Sequence, residues 1–188
     1  MPELRVRALI FDMDGVVIDS GDIYAKHWRR WGARHGYDYD RDIAHVHPGR
    51  PPVETVRIVA PHLDPEIESV TFNDALDADD GEDAIAAMPG AGALLASLPP
   101  DRWTIATSAF RGVAVAWLRH CDLPVPPALV TVDDIKHGKP APDPYLRAAE
   151  LLGFGPADCL VVEDAPAGVQ AAKSAGATVL ALRTTHGR

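Results

Sequence analysis

The chain has 188 residues, 47% of them hydrophobic, which suffices for one ordinary core plus a smaller inserted unit without disulfide or metal staples. Its 27 acidic side chains against 18 basic ones give a formal net charge of −9, which excludes the clustered Lys and Arg surface that a nucleic acid or an anionic membrane requires. An anionic substrate would then need local help, such as a metal ion. Cys121 and Cys159 lie far apart without a CxxC or Cys/His spacing, so they read as buried reduced thiols rather than a disulfide or zinc site. Glu3, Arg5 and Arg7 run directly into the first apolar stretch. That leaves no signal-peptide core, and no run approaches the roughly 18 apolar residues of a membrane span. The expectation is a soluble, cytoplasmic protein.

In chain order, "RVRALIF" reads as a short buried strand that ends in "FDMDGVVIDS", with Asp12 and Asp14 at its carboxyl end. From "DIYAKHWRRWGARHG" to about Met88 the chain reads as helices and acidic loops, an insertion after the first strand. Trp28 and Trp31, three apart, form one helical stripe and are expected to pack inside it. The acidic run "DADDGED", Asp77 to Asp83, lacks calcium-loop spacing and a terminal bidentate glutamate, and reads as a solvated loop or hinge approach. The eight histidines are scattered and form no metal-binding array.

From "PGAGALLASL" onward, strand-like runs alternate with helices. "RWTIATS" is a strand, "RGVAVAWLRHC" a helix, "PALVTVDD" a strand and "DPYLRAAELLG" a helix with Asp143 as N-cap, Pro144 at its first position and a stop at Gly153. "DCLVVED" is a strand, "APAGVQAAKSAG" a helix closing at Gly176, and "ATVLAL" a further strand. This alternation predicts an α/β fold, a Rossmann-like, mostly parallel sheet with helices on both faces and an inserted α-helical unit. Residues 1–16 and 89–188 are assigned to the core and 17–88 to the insertion, with hinges near Val17 to Asp22 and Met88 to Gly92.

Ligands of such sheets bind outside the carboxyl ends of the strands. Asp12 and Asp14, Thr107 and Ser108, Lys139, and Glu163 and Asp164 all fall at or just after strand ends. Residues two apart on an extended backbone face the same side, so both aspartates point into the crevice. Adding Asp164 and Glu163 gathers like-charged hard oxygen ligands that suit Mg²⁺, while the lack of histidine or cysteine disfavours zinc. With a cation placed, Asp12 can attack a phosphoryl group and Asp14 can serve as general acid and base. Thr107 and nearby amides would hold a phosphoryl oxygen, and Lys139 would neutralise developing charge.

The four segments "FDMDGVVIDS", "TIATSA", "KHGKPAPDPY" and "VVEDAPAGVQAAKSAG", in that order, resemble the motifs of the haloacid dehalogenase superfamily, in its capped phosphatase and sugar-phosphomutase branch. The resemblance makes Asp12 the nucleophile and Asp14 the acid/base that also offers its carbonyl to the metal. It makes Thr107 the phosphate hydroxyl, Lys139 the third-motif cation, and Glu163 and Asp164 the acidic pair, with Asp164 the direct magnesium ligand and Glu163 direct or through water. Ser108 and Ala109 are the accompanying substrate contacts. Dehalogenases and phosphonatases are not expected to carry the second aspartate, so Asp14 favours phosphate esters. Val16 stands where many members have threonine. "HWRRWGARHG", "HPGRPPVETV" and "PDRWTIATSAFRGVA" are similar to the glycerol-3-phosphatase and 2-deoxyglucose-6-phosphatase group, whose cap arginine would correspond to Arg50, although Pro48 interrupts the pattern. Relatives of this kind continue past "LALRTTH" with another helix and strand, whereas this sequence ends at Arg188.

The resemblance implies a magnesium-dependent phosphatase for a small phosphorylated sugar or polyol, with no nucleic-acid or membrane partner. Oligomeric state stays open. The alternatives are a sugar-phosphate mutase of the β-phosphoglucomutase kind and a non-catalytic phosphometabolite-binding protein. Asp164 before "APAGV" could also be a plain helix cap.

Overall fold

The computed structural model describes residues 5–79 and 85–185. Glu3 and the part of the acidic run from Asp80 to Asp83 lie outside these residues. Strand β1 (Ala8–Phe11) leads into a tight turn and the short β2 (Ile18–Asp19). Helix α1 (Gly21–His35), a π-helical turn over Tyr39–Ile43, α2 (Pro52–Val59) and α3 (Pro65–Asp77) follow. The chain then returns through β3 (Ala86–Ala87) to α4 (Ala91–Ser97), β4 (Trp103–Ile105), α5 (Arg111–His120), α6 (Asp143–Leu152), β5 (Cys159–Glu163), α7 (Pro166–Ser174) and β6 (Thr178–Ala181).

The main sheet has the order β4-β1-β5-β6 with every pairing parallel, so β1 is central. Its residues alternate between two apolar clusters. Ala8 and Ile10 pack with Tyr145, Ala148, Ala149, Ala171 and Ala172 of α6 and α7, while Phe11 packs with Trp103, Ile105, Val113 and Trp117 on the α5 side. A strand covered on both faces reads as a continuous apolar run, which is why "ALIF" lacks the apolar–polar alternation of a half-exposed strand. The α5-side cluster continues into the insertion through Trp28, Trp31 and Phe72. Trp28 lies edge-on to Trp31 at 5.4 Å and against Phe72 at 4.3 Å, so the tryptophan stripe is packing. Antiparallel pairing of Ile18 with Ala87 and Asp19 with Ala86 ties the outgoing and returning chain together.

Three local expectations need correction. The strand expected in "PALVTVDD" is reduced to one parallel bridge between Ala106 and Val130. Pro126 and Pro127 supply no N–H before it, and Thr131 with Asp134 forms a capping box that turns the chain into a 3-10 segment right after. Helix α6 starts one residue earlier than expected, with Pro142 at the N-cap, and the Asp143 carboxylate accepts from the His137 amide at 3.2 Å instead. In the acidic run, Asp79 is no solvated residue: it accepts from buried His27 and from Lys26. Cys121 and Cys159 are both free; Cys159 is buried as expected, Cys121 is only partly buried, and burial raises both thiols. No helix among the described residues is long and apolar enough to cross a membrane.

Candidate active site

The carboxyl edge of the parallel sheet assembles the polar residues that the surrounding core would otherwise exclude. Asp12 follows β1, and its amide bonds the Val162 carbonyl of β5 at 2.9 Å, which fixes it beside the Glu163–Asp164 pair that ends β5. Thr107 follows β4, held by its amide on the Val130 carbonyl at 3.0 Å. Lys139 enters from the loop before α6. Asp12, Thr107, Lys139, Glu163 and Asp164 are all buried, the threonine, lysine and glutamate completely.

Lys139 Nζ donates to Asp12 Oδ1 at 2.6 Å and to Glu163 Oε1 at 2.8 Å. Glu163 Oε1 also accepts from the Tyr145 hydroxyl at 2.9 Å, and its Oε2 accepts from the amides of Asp164 at 2.7 Å and Ala165 at 2.8 Å. Asp14 belongs to a different set: Ser20 Oγ donates to its Oδ1 at 2.5 Å and Thr107 Oγ1 to its Oδ2 at 3.4 Å. Thr107 Oγ1 in turn accepts the Ala109 amide at 3.1 Å. The two aspartates thus have separate partners.

Burial pushes Asp12 well above the usual carboxylate range, with Glu163, Asp164 and Asp14 adding to the rise and Lys139 opposing it. Asp14 is raised by burial against the pull of Ser20, Lys139 and Thr107. Asp164 is pushed up to about 7 by burial and by Glu163. Glu163 is also desolvated, but Lys139 and its hydrogen bonds prevail and lower it. Burial works against the charge on Lys139, yet Asp12 and Glu163 overcome it and raise the lysine well above its ordinary value. Charges concentrated where water is excluded await a counter-charge.

The carboxylate oxygens of Asp12, Glu163 and Asp164 lie within 4.8 Å of one another. Three carboxylates and one ammonium leave an excess of negative charge, and the donors are all hard oxygens, so the cluster fits Mg²⁺. Among the described residues Asp12 Oδ2 carries no hydrogen bond and Asp164 does not cap α7, whose N-cap is Ala165. The capping alternative for Asp164 is therefore not what the structure shows. Asp14 keeps its carboxylate out of this cluster.

A cavity of about 290 Å³ opens over these residues, lined on the core side by Asp12, Asp14, Ser108 and Asp164 and on the insertion side by Tyr24, Trp28, His47, Arg50 and Pro52. Its size suits a small metabolite. The loop from His47 to Pro51 presses closely on the core. Gly49 has φ +73°, and a Cβ there would fall 2.5 Å from Ala165 Cβ, so both the turn and the approach require glycine.

The structure brings Asp12, Asp14, Thr107, Lys139, Glu163 and Asp164 together, and it places Arg50 and Ser108 at the cavity wall. The three expected substrate contacts each have partners within the protein. Ser108 Oγ donates to the Gly49 carbonyl at 3.1 Å, Arg50 Nη1 to the Val46 carbonyl at 2.6 Å, and the Ala109 amide is spent on Thr107 while its side chain is buried in the core. Sequence reasoning missed Ser20, Tyr24, Tyr145, Thr184 and Thr185. Tyr145 carried a usable signal: it shares the apolar face of α6 with Ala148, Ala149 and Leu152, and a tyrosine at such a position needs a buried partner for its hydroxyl. Thr184 and Thr185, which also line the cavity, have no local signal; Thr184 Oγ1 donates to the Gly15 carbonyl at 2.6 Å.

A parallel sheet whose central strand delivers paired aspartates to a lysine and a second acidic pair defines a class, and residues 6–176 match the haloacid dehalogenase-like hydrolases. The chain belongs to that family. It is 38% identical over 183 residues to hexitol phosphatase A of Escherichia coli (strain K12), covering 95% of this chain and 84% of that protein. It is 33% identical over 192 residues to glycerol-1-phosphate phosphohydrolase 2 of Saccharomyces cerevisiae, covering 97% and 76%. The crystal structure of a hydrolase from Pseudomonas syringae superimposes with a TM-score of 0.83 at 28% identity, covering 96% of this chain and 86% of that one.

Proposed function

We propose that this protein is a magnesium-dependent phosphomonoesterase acting on a small sugar or polyol phosphate through an aspartyl-phosphate on Asp12. One observation carries the reading. Asp12, at the cavity wall, is held at 2.6 Å by the fully buried Lys139, while Asp14 has separate partners in Ser20 and Thr107. A nucleophile and a proton carrier need that independence, because they must change charge at different moments. Relatives that act on hexitol and glycerol phosphates support the substrate class.

In the first half-reaction an Asp12 carboxylate oxygen bonds to phosphorus, the ester P–O bond breaks, and Asp14 gives its proton to the departing alkoxide. In the second, water attacks the same phosphorus and passes a proton to Asp14, the acyl-phosphate bond breaks, and Asp12 returns as a carboxylate. Lys139 faces the charge that grows on the phosphoryl oxygens, and Thr107 lies within the same cluster to hold one of them. Asp12, Asp164 and the Asp14 carbonyl are assigned as magnesium ligands, and the bound ion supplies charge neutralisation for a dianionic phosphate. Burial that raises Asp14 fits a group that must carry a proton at neutral pH.

Residues 17–88 act in this reading as a cap that shuts over the cavity, hinged where β2 meets β3. Release of inorganic phosphate from a panel of sugar, polyol and glycolate phosphates with Mg²⁺ tests the proposal, with Asp12→Asn run beside the unaltered protein. Metal-dependent release that disappears in the variant is expected. Isomer formation that depends on a bisphosphate activator, without net phosphate release, would replace hydrolysis with phosphoryl return to a sugar hydroxyl.

A further inference from the structure

Helix α1 turns one stripe of side chains toward the cavity. Ser20, Tyr24 and Trp28 follow one another at four-residue spacing, which places them on one helical face, and all three line the cavity. The Ser20 hydroxyl is taken up by Asp14, and the Trp28 ring lies against Phe72 at 4.3 Å. Between them, Tyr24 packs its ring edge-on to Trp117 at 5.5 Å, a contact that phenylalanine would make equally well. Its hydroxyl therefore needs a separate reason. The buried polar side-chain atoms left without a partner among the described residues are His35 Nε2 and Thr55 Oγ1, so the Tyr24 hydroxyl is not sealed in but opens on the cavity it lines.

Burial, and then the charges of Asp14 and Asp12, hold the Tyr24 proton on well above the ordinary range. The phenol is a neutral donor at any working pH. It nevertheless gives its proton to neither carboxylate, since Asp14 accepts from Ser20 and Thr107 and Asp12 from Lys139. In the proposed reaction Asp14 must reach the ester oxygen, so a donor beside it faces the first carbons of the departing alcohol.

We infer that the Tyr24 hydroxyl is a specificity-determining contact, which hydrogen-bonds the substrate hydroxyl one carbon beyond the phosphate ester and so selects polyol and sugar phosphates over alkyl phosphates of the same length. The inference rests on the phosphatase reading and narrows its substrate class. A phenol both donates and accepts, as does an alcohol, so the two are matched partners. Once substrate displaces water, a bare methylene at that carbon would leave the phenol unpaired, whereas a hydroxyl replaces the lost hydrogen bond.

Glycerol 1-phosphate and propane-1,3-diol phosphate differ by that one hydroxyl and form the simplest test pair. With Mg²⁺, the unaltered protein should prefer glycerol 1-phosphate in kcat/KM by about 3- to 12-fold, the range of one neutral hydrogen bond. Tyr24→Phe keeps the ring on Trp117 and should abolish the preference. Its kcat/KM for glycerol 1-phosphate should fall by that factor, while propane-1,3-diol phosphate stays within about twofold of the unaltered protein. A merely structural role would lower both substrates alike.

Equal losses on the two substrates, no loss on either, or no preference in the unaltered protein would overturn the inference. The last of these needs no variant, so it decides the matter even if Tyr24→Phe does not fold. If the unaltered protein releases phosphate from no substrate, the phosphatase reading fails, and calorimetric titration with the same two phosphates still tests Tyr24. A tighter binding of glycerol 1-phosphate that Tyr24→Phe removes would uphold the contact, and equal affinities would refute it.

Discussion

Ser20 Oγ donates to Asp14 Oδ1 at 2.5 Å, so the residue at the N-cap position of α1 makes no capping bond with its side chain and instead holds the second aspartate of the first motif. Entry into the insertion and placement of the proposed proton carrier are one structural event. Ser20 is 1% exposed and lowers the Asp14 pKa against the rise that burial imposes.

Removing that hydrogen bond should therefore raise Asp14 further. Ser20→Ala is expected to move the alkaline limb of the kcat/KM–pH profile, which requires protonated Asp14, to higher pH. Asp14→Asn should lower kcat by about 10²- to 10⁴-fold, the range of a positioned acid/base. Steady-state pH profiles check both, and an unmoved limb in Ser20→Ala would show that another group sets it.

Metal and protons compete for the carboxylate cluster. Asp164 is held up to about 7 in the fold against an ordinary 3.8, so between those values the folded chain without metal binds more protons than the unfolded one. The stability linked to this group is fully present below the ordinary value and is lost as pH rises through 7. A divalent ion reverses the penalty by favouring the ionised form. Saturating Mg²⁺ should raise the Tm more at pH 8 than at pH 5.5, and EDTA should remove the gain. Calorimetric melting at the two pH values measures it.

Gly49 couples the insertion to the core through a backbone conformation and a close contact. Gly49→Ala places a methyl 2.5 Å from Ala165 Cβ at a residue with φ +73°, so the loop that carries Arg50 must lift. The residue cost is about 1–2 kcal/mol for a side chain in the left-handed region. KM should rise, together with a lower Tm, because the contact between this loop and the cavity floor is loosened. A crystal structure with the loop unmoved and a KM unchanged would contradict the coupling.

How much of this could be read from the sequence depended on whether the cause was local. The apolar run before Asp12 is buried on both faces, so its pattern announces a strand and places both aspartates at its end. Lys139 was legible as a member of a motif, but its contact with Asp12, 127 residues away, follows from tertiary packing. The strand in "PALVTVDD" failed because β-branched composition competed with two prolines and a capping box, and the turn chemistry prevailed. Asp164, read as a metal ligand with a helix cap as the alternative, makes no capping bond to α7, and its own amide and that of Ala165 bond Glu163 Oε2. Ser20 read only as part of a motif string, and its bond to Asp14 depends on the reversal at Gly15 to Ile18, where the Gly15 amide meets the Ile18 carbonyl at 2.7 Å.

The proposed mechanism depends most directly on covalent chemistry at one carboxylate. Rapid quenching of the Mg²⁺-loaded protein during turnover, borohydride reduction and peptide mass spectrometry would locate any acyl-phosphate. Conversion of Asp12 to homoserine, with Asp14 and Asp164 untouched, is the predicted result. Phosphate release at full rate with no reduced residue at position 12, under conditions where the quench outpaces the second half-reaction, would mean that water attacks the ester directly.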